Sequence, residues 1–144
     1  MYHEQCDING YFTNMIYPLS HCKIILNASL LSFFTGMFAL YQQKYSLALV
    51  PFSVGLTSQL YWRNPIHNSY MRYIDIGTVA IGLTYQLYYS YYSDKLAPYL
   101  LTILLAISFY PLSNYFIRRH SWVSVFLYSL LHIVANIGNI ILYL

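Results

Sequence analysis

The charged residues are spaced along the chain so that five stretches are free of Asp, Glu, Lys and Arg: Ile24 to Gln43, Tyr45 to Trp62, Ile76 to Ser93, Leu96 to Ile117 and His120 to Leu144. Each is long enough to cross a bilayer core, which takes about 17 to 25 apolar residues. Lipid offers no hydrogen bonds to the backbone, so runs of this length must be helices; barrel strands would be about half as long and strictly alternating. The expected fold is all-α, a polytopic bundle of about five transmembrane helices over 24–43, 45–62, 73–93, 96–117 and 121–143. Very short connections make neighbouring helices antiparallel and leave no soluble catalytic domain. Residues 1–22 form an interfacial lead-in whose Tyr2, Tyr11, Phe12 and Tyr17 would rest at headgroup level.

Within the spans the polar positions recur at helical intervals. The first presents Ala28, Ser32 and Gly36, a small-residue stripe that permits close helix approach. The third carries Asp75, Thr78, Gly82, Tyr85, Tyr89 and Tyr92. The last is polar along one whole face, through Ser121, Ser124, Tyr128, His132, Asn136, Asn139 and Tyr143, and that face should look inward. Pro51 and Pro111 each remove a backbone bond inside a span.

Composition supports the same class. The chain is 58% hydrophobic and 8% charged, against about a quarter charged in soluble domains. Its 18 tyrosines supply apolar area with a polar tip, suited to interfaces and interhelical hydrogen bonds without any cofactor. Lys23, Arg63, Arg72, Arg118 and Arg119 lie at one end of the bundle, and Lys44 and Lys95 at the other, so the positive-inside rule puts the N-terminus in the cytoplasm. The charged start of a secretory signal is missing, since the first 22 residues hold Glu4 and Asp7 but no Lys or Arg. His3, Cys6, His21 and Cys22 match no zinc spacing, so no metal site is expected, and on the reducing side Cys6 and Cys22 should stay unpaired. Asn27-Ala28-Ser29 has the form of a glycosylation acceptor but lies within a span. There is no Gly-rich phosphate loop and no basic run for nucleic acid.

The unusual residues concentrate between Ser58 and Asp75, where Trp62, Arg63, Pro65, Arg72 and Asp75 pin two spans together. An intramembrane carboxylate is costly unless it is paired or used. One reading of Asp75 is a structural clamp, favoured by the helix start and by Arg72 three residues before it. The other is an intramembrane polar centre of Ser58, Asp75, His132 and Asn136. Depth separates that set: Ser58 and Asp75 lie roughly 5 to 8 Å below one interface and His132 about 18 Å below it. A lone, uncharged His132 bonded to a neighbour is the plainer state. Ser58 has no base beside it in sequence, which leaves it without support as a nucleophile. Catalytic candidates are thus confined to Ser58, Asp75 and His132.

A serine four residues before an aromatic residue or histidine at the end of one span, an Asp at the start of the next, and His-x-x-x-(polar) in the last resemble the CREST superfamily of membrane hydrolases. This superfamily includes the alkaline ceramidases and PAQR receptors. The resemblance implies a seven-helix bundle in which three histidines hold zinc beside the serine and aspartate. Ser58, Asp75 and His132 match, whereas Trp62 stands where the first histidine belongs and Asn136 where the last does, and five helices replace seven. With two of three ligands gone, catalytic zinc is not expected. The block Leu60-Tyr61-Trp62-Arg63-Asn64-Pro65, followed by Arg72-Tyr73-x-Asp75, is similar to small multi-span membrane proteins of nucleocytoplasmic large DNA viruses, and the Ile, Asn and Tyr-rich composition suits an AT-rich genome.

The resulting expectation is a non-enzymatic viral membrane protein without cofactor, in a host endomembrane or the virion internal membrane. It would associate through its small-residue and Tyr-rich faces, as a homo-oligomer or with other membrane or capsid proteins. Arg63, His67, Arg72, Arg118, Arg119 and His120 would form one basic surface toward anionic lipid or a capsid-side partner. The alternatives are a degenerate hydrolase or lipid-binding remnant, and a small channel or transporter.

Overall fold

A computed structural model describes residues 16–66, 69–117 and 119–144 of the chain, and all regular elements within them are helices. In chain order these are α1 (Leu19–Ser29), α2 (Leu31–Tyr41), α3 (Tyr45–Trp62), α4 (Tyr70–Tyr91), α5 (Leu96–Phe116) and α6 (Ser121–Tyr143). The first two are halves of a single 23-residue span, so the bundle has five rods. Three of these, Leu19–Tyr41, α5 and α6, are long and apolar enough to cross a membrane. The other two carry more polar groups but match in length: α3 and α4, with 18 and 22 residues, extend about 27 and 33 Å.

The rods form a ring in the order α4, α3, α1–α2, α6, α5. The tightest seams are α5 with α6 and α2 with α3; α4 and α5 touch only lightly. Bulky apolar side chains face outward on every rod, including Phe34, Leu49, Ile81, Leu101 and Phe126, each more than 60% exposed. Such a surface would aggregate in water and is the surface that lipid covers. The α2–α3 turn closes with the Lys44 amide donating to the Ala39 carbonyl at 2.9 Å, and Gln43 adopts φ 58° where glycine is usual.

Several sequence expectations shift here. The first span begins at Leu19, within the segment assigned to the lead-in, and the third rod begins at Tyr70, where the Ser69 hydroxyl caps it by accepting from the Arg72 amide. Tyr17 does not lie at headgroup level. It is 1% exposed, and its hydroxyl sits 2.6 Å from Ser124 Oγ, so the chain just before α1 is anchored in the core. Burial raises the Tyr17 phenol above its ordinary value, which keeps it neutral in this contact. Tyr2, His3, Cys6, Tyr11 and Phe12 lie outside the described residues, as do His67 and Arg118 of the expected basic surface. Cys22 is a buried free thiol.

Three breaks in the helical backbone bonding are met by side chains from other elements. Leu30 interrupts the first span, and the Leu26 carbonyl that would serve its amide accepts instead from Gln59 Nε2 of α3 at 2.7 Å and from Ser29 Oγ at 2.8 Å. Pro51 cannot donate to the Leu47 carbonyl, and Tyr143 Oη of α6 stands 3.4 Å from that oxygen. Near the end of α5 the Ser113 carbonyl accepts from Ser124 Oγ at 2.7 Å. An apolar medium requires such substitutes.

Glycines mark the close approaches. A Cβ on Gly82 would lie 2.6 Å from Val50 Cγ1, and one on Gly138 would lie 2.6 Å from Thr102 Oγ1. Gly36 and Gly55 likewise receive the rings of Phe52 and Phe33. Ser32 and Gly36 of the first span's small-residue stripe are therefore buried inside the bundle, and Ala28 is half-buried.

Candidate functional site

Asp75 faces α3, one turn into α4. Its Oδ1 accepts from Thr57 Oγ1 and Ser58 Oγ, both at 2.8 Å. The Arg72 clamp does not form: among the described residues the ion pair is Lys95 with Asp94. Arg72 turns instead toward α5, where its Nη2 donates to Tyr110 Oη at 3.4 Å. Two adjacent hydroxyls on α3 thus hold the carboxylate, and the guanidinium joins α4 to α5. Both line a small cavity of about 10 Å³ with Tyr17, Tyr61, Trp62, Tyr110 and Tyr128. It has room for about one water.

Trp62, 2% exposed, is the hub of this end. Its ring packs on Tyr61 at 4.9 Å, Tyr128 at 4.8 Å and Tyr17 at 5.9 Å between centroids. Pro65 is also buried, and its carbonyl accepts from the Ile16 amide at 3.1 Å, which ties the chain just before α1 to the α3–α4 connection. Arg63, Arg119 and His120 are exposed at the same end, and Arg119 Nη1 donates to Tyr115 Oη at 2.8 Å.

The expected inward face of α6 is inward. Ser124, His132, Asn136, Asn139 and Tyr143 are all buried, and Tyr128 is half-buried. On α4 the inner positions differ from the expected stripe: Asp75 and Gly82 are buried, but Gln86 and Ser90 follow them inward, while Tyr85 and Tyr92 face out. The buried spacing of 75, 82, 86 and 90 keeps close to the 3.6 helical period.

His132 stands apart from the Asp75 pair. It borders a second cavity, of about 80 Å³, with Ser32, Val50, Pro51, Val54, Val79, Leu83, Gln86, Ile103, Leu131, Ala135, Asn136 and Asn139. Asp75 and Ser58 do not line it. Asn136 Nδ2 donates to the His132 carbonyl at 2.8 Å and approaches Ser32 Oγ at 3.3 Å, so Asn136 helps hold α6 to α2.

No protein-family model, curated protein or solved structure matches the chain.

The zinc site implied by the hydrolase resemblance does not fit these residues. Among the described residues no three of His, Cys, Asp and Glu come together. Among the described residues His132 Nε2 has no polar partner, and the Ser58 hydroxyl is already donated to a carboxylate. Among the described residues the serine's hydrogen-bond partner is a carboxylate and not the imidazole of a Ser–His–Asp triad.

Gln86 is the important polar residue that sequence reading missed. Its Nε2 donates to Tyr143 Oη at 2.8 Å and its Oε1 accepts from Tyr99 Oη at 3.0 Å. One side chain therefore joins α4, α5 and α6 at the end opposite Trp62. The available signal was an amide in an otherwise apolar run, which in lipid needs partners.

Proposed function

We propose that this protein is a non-enzymatic, five-span integral membrane protein with its N-terminus in the cytoplasm, acting by association within a membrane. The observation that carries this reading is how its polar groups are used. Ser58, Thr57, Gln59, Ser124 and Tyr143 each bond to a neighbouring helix, while the outward faces are apolar. The basic end, with Arg63 and Arg119 exposed, would face the cytoplasm and attract anionic lipid or a partner surface.

Lateral contact would fall to the tyrosines at the far end of α4, since the small-residue face is used internally. Tyr88, Tyr91 and Tyr92 are 66%, 70% and 72% exposed. They offer apolar area with hydroxyl tips to a second copy or another membrane protein. The virion internal membrane is the proposed location. It rests on the resemblance of Leu60 to Pro65 and Arg72 to Asp75 to proteins of large DNA viruses.

Two measurements test this reading. Alkaline carbonate should leave the protein in the membrane pellet, and proteomics of purified particles should find it there. Presence in host membranes with absence from particles would overturn the virion assignment. A degenerate hydrolase is less well supported, because Ser58 and Asp75 bond to each other while His132 occupies another cavity. A channel would need a polar route through both ends, where Trp62 with its tyrosines and the Gln86 network stand instead.

A further inference from the structure

The inner face of α6 divides into ends whose polar groups are bonded and a middle in which several polar atoms are not. At one end Ser124 bonds to Ser113 and Tyr17, and at the other Tyr143 bonds to Gln86. Between them His132 Nε2, Asn136 Oδ1 and Asn139 Oδ1 are buried with no partner, on residues that are 7%, 6% and 9% exposed. These three residues border the same 80 Å³ cavity. Orphaned polar atoms are costly in an apolar interior, so three on residues that border one cavity point to something that bonds them.

The orphans specify its chemistry. Asn136 Nδ2 is committed to the His132 carbonyl, which can only accept, so Asn136 Oδ1 must be an acceptor. The occupant must therefore bring a donor hydrogen. The cavity wall holds no Asp, Glu, Lys or Arg, so a charged group would sit there uncompensated. Most of the wall is aliphatic, from Val50, Val54, Val79, Leu83, Ile103 and Leu131.

The route in is sideways. The Arg72–Tyr110 contact pins α4 to α5 near one end and the Gln86–Tyr99 bond pins them near the other, with little contact between. On the cavity wall Val79 and Leu83 of α4 and Leu131 and Ala135 of α6 are partly exposed, so the cavity is not sealed from outside the bundle. At about 80 Å³ the space takes a head of a few atoms and not a whole chain.

We propose that this cavity binds the uncharged hydroxyl head of a neutral lipid, which enters between α4 and α5, leaves its tail in the seam and donates to the Asn136–Asn139 face of α6. The proposal rests on the reading of the chain as a membrane protein.

The test uses full-length protein in phosphatidylcholine nanodiscs and tritiated hexadecanol. Saturable binding is expected, displaced by unlabelled hexadecanol at least tenfold better than by its methyl ether, which keeps the chain but lacks the donor. Hexadecyl phosphate and hexadecyltrimethylammonium should also compete poorly. Asn139→Leu, which loses no protein hydrogen bond among the described residues, should weaken binding at least tenfold. Ala135→Phe, filling the cavity without touching the polar atoms, should abolish it. Equal competition by the ether, absence of saturable binding, or unchanged binding in folded Asn139→Leu and Ala135→Phe protein would overturn the proposal. Carbonate extraction separates the two ideas. Protein that stays in the membrane but binds no alcohol refutes the lipid site alone, whereas protein released by carbonate refutes the membrane reading beneath it.

Discussion

Gln59 donates its side-chain amide to the main-chain carbonyl of Leu26 at 2.7 Å, at the point where the first span loses its regular bonding at Leu30. The same nitrogen lies 2.7 Å from Ser29 Oγ. The break and the glutamine belong together: one frees a carbonyl, and the other satisfies it.

Gln59→Leu should therefore destabilise the bundle by about 1 kcal/mol, within the range for interhelical polar bonds in membranes. Thermal unfolding in detergent micelles, compared with the outward-facing Leu60→Ala, measures this. A double-mutant cycle with Ser29→Ala should show coupling between the two positions. Additive losses would mean that the contact contributes nothing.

The Ser58–Asp75 contact gives a second expectation. Asp75→Asn retains an acceptor and should unfold close to the native protein. Asp75→Leu removes the acceptor from one buried and one half-buried hydroxyl and should cost about 1 to 3 kcal/mol. Arg72→Gln should leave that cost unchanged, because Arg72 makes no ion pair with Asp75. A loss in Arg72→Gln equal to that in Asp75→Leu, abolished in the double variant, would restore the clamp.

Gly77 and Gly82 lie on one helix with opposite surroundings. A Cβ at Gly77 meets nothing within 4 Å, whereas at Gly82 it would meet the stiff Val50 side chain at 2.6 Å. Gly77→Ala should thus be neutral or stabilising by up to about 1 kcal/mol, and Gly82→Ala destabilising by about 1 to 3 kcal/mol. Val50→Ala should rescue Gly82→Ala. Unfolding midpoints of the three variants in one detergent decide the matter.

The two tryptophans report the lipid boundary. Trp62 is 2% exposed inside its tyrosine cluster, and Trp122 is 62% exposed on the outer face of α6. Brominated phosphatidylcholine should quench Trp122 strongly and Trp62 little, so Trp122→Phe should remove most of the quenching. Equal quenching in Trp122→Phe and Trp62→Phe proteins would show that α6 does not present this face to lipid.

Much of the architecture was legible in the order of residues. Charge-free runs of 18 residues or more can be little else but helices in lipid, and α3, α5 and α6 lie within a residue or so of the expected bounds. The inward face of α6 was equally legible, because seven polar residues at helical spacing cannot all meet hydrocarbon. The separation of His132 from Asp75 followed from rise per residue alone.

Partners were another matter. Asp75 has Arg72 nearby in sequence, yet bonds to hydroxyls that α3 brings against it. Tyr17 looks interfacial until its hydroxyl is seen beside Ser124, and Gln59 and Gln86 acquire their roles from carbonyls and phenols on other helices. The sequence by itself determined the elements and the inward face of α6, because desolvating backbone and polar groups is a local cost carried by each segment. Which buried groups find partners, and that His132, Asn136 and Asn139 are left with a cavity instead, only the tertiary structure decided: a hydrogen bond needs about 3 Å between atoms that lie far apart along the chain.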